Sequence, residues 1–199
     1  MPQEEIWFRP LVWMDYRLAI LFTVITPLII LGWAFVEKSE AIQRLVTIYW
    51  RVSSLLGISV YLMIAEFGVS FITGIIARVL IPISLWFWID LNDEIDYQQN
   101  SALKLLFTSW RWAMSIYCAL GVIASLPFIG CAFSEEAIKS SYCRVWLEAP
   151  LMFKDYFHPN TKAGFLGFIG IVGLIIYVIY LSYFVLIKLG KQGRSAVNQ

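Results

Sequence analysis

Histidine occurs once in this chain, at His158, and cysteine only three times. One imidazole excludes haem held by two histidines, a zinc site of the HExxH kind and any histidine cluster. No GxSxG, P-loop or Rossmann pattern occurs either, so the common sequence marks of hydrolases and nucleotide-binding enzymes are missing. Charge is scarce: Asp, Glu, Lys and Arg make up 15% of 199 residues and sum to +1. Those charges gather in short segments between apolar runs, which leaves no electrostatic footing for nucleic acid. The expectation is a protein that is not an enzyme, with no predicted cofactor and His158 as a surface loop residue. Lipid or pigment binding stays open, because backbone or water can replace histidine as a pigment ligand.

Apolar residues fill the space that charge leaves. The chain is 60% hydrophobic, with nine Trp and fourteen Phe, more than one soluble domain of this length needs. A hydrocarbon core of about 30 Å takes about 20 helical residues. Three uncharged runs of that order stand out at 18–36, 112–133 and 164–187, and two further candidates at 45–65 and 67–89 carry Arg51 and Arg78. The predicted fold is therefore all-α, a polytopic membrane protein with five transmembrane helices at 18–36, 45–65, 67–89, 108–133 and 164–187. The second and third are separated by little more than Glu66, which implies a tight helical hairpin. An interfacial segment, 1–17, precedes the helices; an outer amphipathic loop, 134–163, and a basic tail, 188–199, complete the chain.

Orientation follows from Lys and Arg near the ends of the spans. Lys188, Lys191 and Arg194 argue for a cytoplasmic C-terminus, which puts the N-terminus and the 134–163 loop on the lumenal or periplasmic side. Lys38, Arg44, Arg51, Lys104 and Arg111 then fall inside, and Arg9, Arg17, Lys139, Arg144, Lys154 and Lys162 outside. The first apolar run lacks the cleavage pattern of a signal peptide and is expected to be retained.

Arg78 sits near the middle of the third run. A central arginine costs about 2.5–3.5 kcal/mol of insertion, and the thirteen Leu, Ile, Phe and Val between Phe67 and Ile89 outweigh it at roughly 0.3–0.6 kcal/mol each. On a helix, Ser70, Gly74, Arg78, Pro82, Trp86 and Asp90 share one ridge, expected to face the bundle or a contact, while Phe71, Ile75, Val79, Ile83 and Phe87 face lipid. Glu66 and Asp90 each lie twelve residues away, about 18 Å along the helix and out of reach. With no acid in another predicted span, Arg78 is satisfied either by carbonyls, such as those freed near Pro27, and hydroxyls, or by something external: a lipid phosphate or a carboxylate of a partner. Arg78, Gly74 and Pro82, with Trp146, Phe153 and Tyr156 of the apolar outer loop, form the expected partner or lipid contact.

Three other patterns carry weaker readings. Asp90, Asn92, Glu94 and Asp96 fall in the register of a calcium loop, but Ile95 and Ser101 stand where Gly and Glu are required, so the segment reads as a solvated acidic loop with no metal. Gly164, Gly167, Gly170 and Gly173 form an oblique helix-packing groove, for a helix of this chain or of a partner. Cys131 and Cys143, both on the predicted oxidising side, are either a disulfide or, with buried Cys118, free packed thiols.

The stretches RPLVWMDYRLAILF (9–22), AIQRLVTIYWRVSSLL (41–56), ARVLIPISLWFWIDLNDEI (77–95), SWRWAMSIYCALG (109–121), YCRVWLEAPLMFKDYFHPNT (142–161) and LGKQGRSA (189–196) resemble a cyanobacterial membrane-protein family, domain of unknown function 3177, over essentially the whole chain. That resemblance implies a photosynthetic host and a thylakoid or plasma membrane, and no activity or catalytic residue to transfer. The expected role is an accessory subunit or assembly factor of a photosystem, cytochrome or NDH-type complex. The rival is a small transporter or channel with Arg78 on an anion path.

Overall fold

The computed structural model describes residues 6–189 and 193–196; Lys191 of the basic tail lies outside the described residues. Every regular element described is helical. Five helices are long and apolar enough to cross a membrane: Arg9–Val36, Glu40–Ile64, Val69–Trp86, Ala102–Ala132 and Ala163–Lys188, here the first to fifth spans. The protein is an all-α polytopic membrane protein.

The first span begins at Arg9, nine residues before the predicted start. The segment read as a separate interfacial anchor is thus largely the first turns of a long helix. Pro10 suits its first turn, where a missing N–H costs nothing. Pro27 then interrupts the backbone ladder, and the chain widens into a π-helical turn over Ile20–Ile25 before resuming as Thr26–Val36. A proline at position 27 leaves the Thr23 carbonyl without its helical donor. Tyr49 of the second span donates its hydroxyl to that carbonyl at 2.9 Å, and the Trp110 indole N–H donates to the Phe22 carbonyl at 2.9 Å. These carbonyls, offered by the sequence as partners for Arg78, are taken by other side chains.

The second span is the hub, packed against the first, third and fifth. Lys38 and Glu66 turn the chain at its two ends with positive φ, 55° and 57°. Gly68, beyond the second turn, lies so near the end of the fourth span that a Cβ there would stand 2.5 Å from the Ala132 carbonyl oxygen. The fifth span docks through its glycines: a Cβ would meet the Ala65 side chain at 2.3 Å from Gly167, Leu62 at 3.0 Å from Gly170 and Ile58 at 3.3 Å from Gly173. A Cβ on Gly164 would meet nothing within 4 Å, so the groove is three glycines long and its partner is this chain's own second span.

Two segments read as loops are folded. The third span stops at Trp86 rather than Ile89, and the acidic segment is a second helix, Ile89–Tyr97, turned back beneath the second span with Leu91 and Ile95 fully buried. An alternating pattern of acids with a leucine and an isoleucine four apart is an amphipathic helix, and burial of that one apolar edge decides its conformation. Ser101 then accepts a hydrogen bond from the Lys104 backbone N–H and caps the fourth span.

The outer loop is built of short helical pieces, Glu135–Lys139, Ser141–Arg144 and Val145–Leu147, ending in the amphipathic helix Glu148–Phe157. Cys131 and Cys143 are joined in a disulfide that ties this cap to the end of the fourth span, and Cys118 is a free buried thiol. Val145, Trp146 and Leu147 pack with Phe8, Val12, Phe71 and Phe128 in a small apolar core above the spans. Phe71 is therefore buried, contrary to the lipid-facing ridge expected for it, whereas Val79 and Ile83 further along that ridge are exposed.

Candidate functional site

Arg78 projects from the third span at a point where the fourth span offers no bulk. Gly121 faces it so closely that a Cβ would lie 2.9 Å from the guanidinium Nε. Through that gap Nη1 donates to the Ser125 hydroxyl at 2.5 Å and to the Gly121 carbonyl at 3.3 Å. Nη2 forms a short ion pair with the Asp15 carboxylate. The other Asp15 oxygen accepts the Tyr117 hydroxyl at 2.9 Å, and the same hydroxyl lies 3.2 Å from the Asp15 carbonyl. The arginine is thus answered by an acid of its own chain, and the expectation of an external counter-charge is corrected. The reason is the nine-residue extension of the first span, which carries Asp15 from the predicted interface into the bundle.

Charge pairing in a bilayer is stabilising only when the remaining donors and lone pairs are also met. Here four side chains from the first, third and fourth spans form one network, and the Arg78 and Asp15 side chains keep exposures of 13% and 18%. Both residues, together with Tyr117 and Ser125, line a cavity of about 710 Å³ between the first four spans and the cap. The walls are Ala19, Val24, Leu56, Val60 and Ile75 from the spans, with Trp146, Pro150 and Phe153 from the cap. Tyr16, in the wall, donates its hydroxyl to the Trp146 carbonyl at 2.6 Å.

The amphipathic helix is held over this cavity at both ends. Glu148, at its start, accepts from Arg9 Nε and from the Trp13 indole N–H, each at 2.9 Å. Just past its other end His158 meets the Tyr61 hydroxyl at 3.2 Å through Nε2 and packs its ring on Phe153. His158 is thus a tether between the cap and the second span rather than a bare loop residue.

Of the residues expected at one contact, Gly74, Arg78, Trp146, Phe153 and Tyr156 all line the cavity. Pro82 does not, and stands half-buried one turn further in. Trp146 is buried against Phe128 and Tyr16 with 7% of it exposed, whereas Tyr156 is exposed. Asp15, Gly121 and Ser125 were not anticipated, whereas Tyr117 was among the hydroxyls expected near Arg78. The readable signal for Asp15 was the continuous helical pattern of RPLVWMDYRLAILF, with Pro10 at a helix start.

A second arginine is buried by other means. Arg111 of the fourth span stacks its guanidinium 4.0 Å from the centroid of the Trp86 ring and donates to the Asn92 side-chain oxygen. Asn92 in turn donates to the Trp88 carbonyl at 2.7 Å, so this member of the suspected calcium register serves as a structural clamp.

No curated protein and no solved structure matches the chain. The model of one family does, along residues 9–197 and so over the whole membrane domain with its network, cavity and cap, and the chain belongs to that family, described as protein of unknown function (DUF3177).

Proposed function

We propose that this protein is a non-enzymatic accessory subunit or assembly factor of a thylakoid complex, and that it works by holding a lipophilic molecule in the capped cavity. The observation that carries the reading is the cavity itself. It is about 710 Å³, within the range of about 300–1,000 Å³ common to small-molecule and cofactor sites, with apolar walls and a small polar cluster of Arg78, Asp15 and Tyr117. The thylakoid setting, with photosystem, cytochrome or NDH-type complexes as hosts, rests on the cyanobacterial resemblance. The cytoplasmic C-terminus rests on the positive charges that follow the fifth span. Exposed Met152, Tyr156 and Phe157 on the cap give a host protein or the outer leaflet an apolar surface to meet.

Gentle solubilisation of native membranes through a C-terminal tag, followed by native electrophoresis and mass spectrometry of proteins and extracted lipids, tests both halves. Stoichiometric co-migration with a membrane complex is the expected protein result, and one lipophile per chain the expected lipid result. A lone chain would overturn the accessory role, and a chain free of bound lipophile would overturn the holding role. An anion transporter is the rival reading. Asp15 weighs against it, because the carboxylate that neutralises Arg78 also repels an anion approaching it.

A further inference from the structure

We infer that the cavity is built for an uncharged amphiphile with a flat ring bearing carbonyl oxygens, the chemistry of a quinone; the inference rests on the lipophile-holding reading and specifies its ligand. Three observations lead there.

The first is charge. The two ionic groups of the network cancel, so an anionic head group beside Arg78 would face the Asp15 carboxylate and a cationic one would face the guanidinium. Beside the pair, an ion of either sign would be desolvated against a like charge, which is costly in a bilayer. A neutral head group avoids that conflict. The third charged residue of the lining, Arg17, is exposed.

The second is hydrogen-bond polarity. Most donors of the lining are already met: Arg78 Nη1 and Nη2 by Ser125, Gly121 and Asp15, the Tyr117 hydroxyl by Asp15, and the Tyr61 hydroxyl is paired with His158. The indole N–H of Trp146, on a lining residue only 7% exposed, has no acceptor among the described residues, so the lining leaves a donor unmet and matches a ligand that offers acceptors. Carbonyl oxygens do so without carrying charge.

The third is shape. Ten of the 29 lining residues are aromatic, about a third, against 17% of the whole chain. Trp13, Tyr61, Phe128, Phe153 and Phe157 come from the first, second and fourth spans and the cap, so rings meet the cavity from several sides. Aromatic walls favour a flat ring, which can stack or pack edge-on, over a flexible acyl chain.

Two glycines supply the test. Gly57 and Gly74 both line the cavity, and a Cβ on either meets no atom within 4 Å, so Gly57→Phe starts its side chain in open space at the wall and does not weaken the helix. The full chain, reconstituted in nanodiscs of neutral lipid, is titrated with decylubiquinone while tryptophan fluorescence is read. Saturable quenching is expected, with an apparent Kd raised about tenfold or more in Gly57→Phe and several-fold in Arg78→Lys, which keeps the ion pair and loses the planar fork. Phosphatidylglycerol added to the same discs is expected not to compete.

Quenching that is linear in quinone, or unchanged in Gly57→Phe, would overturn the quinone inference. Competition by phosphatidylglycerol would do the same in favour of an anionic acyl lipid. If the native extract nonetheless carries one lipophile per chain, the holding role survives the loss of the quinone; if it carries none, both readings fall.

Discussion

The half of this bundle under the cap, here termed outer, and the half around the acidic helix, here termed inner, solve the same problem in opposite ways. Each must bury an arginine among apolar helices. The inner half does it inside a dense core, where Ile42, Leu45, Tyr49, Leu85 and Phe107 are fully buried and Arg111 lies against Trp86 with an amide for its hydrogen bond. The outer half does it beside a cavity, where Arg78 meets a carboxylate, a hydroxyl and a carbonyl. A guanidinium covered by an indole face requires no counter-ion, because the ring quadrupole and close packing replace water. One that borders an open space needs a full charge opposite it. The proposed function belongs with the outer half, because among the described residues it is the Arg78 cluster that lines the cavity.

Asp15→Ala should have the largest effect. It leaves Arg78 buried and uncompensated, and removing one partner of such a pair typically costs about 3–5 kcal/mol. Thermal unfolding in detergent should fall steeply for Asp15→Ala and Arg78→Ala, while the double replacement Asp15→Leu with Arg78→Met should recover most of the loss. A double variant as unstable as the singles would mean that the pair is not a self-contained unit, and the contrast with Arg111 would collapse.

Much of this was legible. Five apolar runs predict five spans, and the glycines at a spacing of three predict a packing groove whose occupant the sequence left open and which Gly167, Gly170 and Gly173 close against the second span. What could not be read was where amphipathic segments end. Asp15 carries the same charge in an interfacial anchor as in the first turns of a span. The helical pattern around Pro10 was readable, but the packing of Val12 and Phe8 under the cap is what joins that segment to the span. The acidic segment failed in the same manner: its acids dominate a linear reading, while Leu91 and Ile95, which fix it as a helix, declare themselves only once the second span lies against them. The cavity had no sequence signal, because a void is a property of how helices diverge.

The disulfide sharpens the comparison next, since it belongs to the outer half alone. Cys131 and Cys143 are 12 residues apart, and closing a loop of that size contributes about 3 kcal/mol in the chain-entropy account. Cys131→Ser with Cys143→Ser should lower the melting temperature and speed proteolysis within 134–157. Hydrogen exchange in the acidic helix should not change. If protection is lost equally at both ends, the halves are one cooperative unit and the division between them is false.

Gly121→Ala follows, at about 1–3 kcal/mol, the usual cost of forcing an extra carbon into a packed site. Its Cβ would press on Arg78 Nε at 2.9 Å, so the guanidinium must move and its bonds to Ser125 and Asp15 must lengthen. Combined with Arg78→Met, whose side chain can bend away, the alanine should cost far less than it does alone. An unchanged cost would show that the fourth span needs this glycine for helix contact rather than for the arginine.

Arg111→Lys is the mildest change, and it tests the inner half on its own terms. Lysine keeps the positive charge but gives up the planar face that lies over Trp86, a stacking that contributes on the order of 1 kcal/mol in sites of this kind. Little else is forfeited, because the Arg111 Nε–H already lacks an acceptor among the described residues and the bond to Asn92 can be remade by an ammonium. The unfolding midpoint should therefore drop by no more than a few degrees, and Arg111→Met, which removes the charge but keeps a polarisable group on the indole, should behave similarly. For Arg78, by contrast, loss of charge is the damaging step. Should Arg111→Met prove as harmful as Arg78→Ala, the inner arginine must also be held by an ionic partner, and the aromatic solution assigned to it would be wrong.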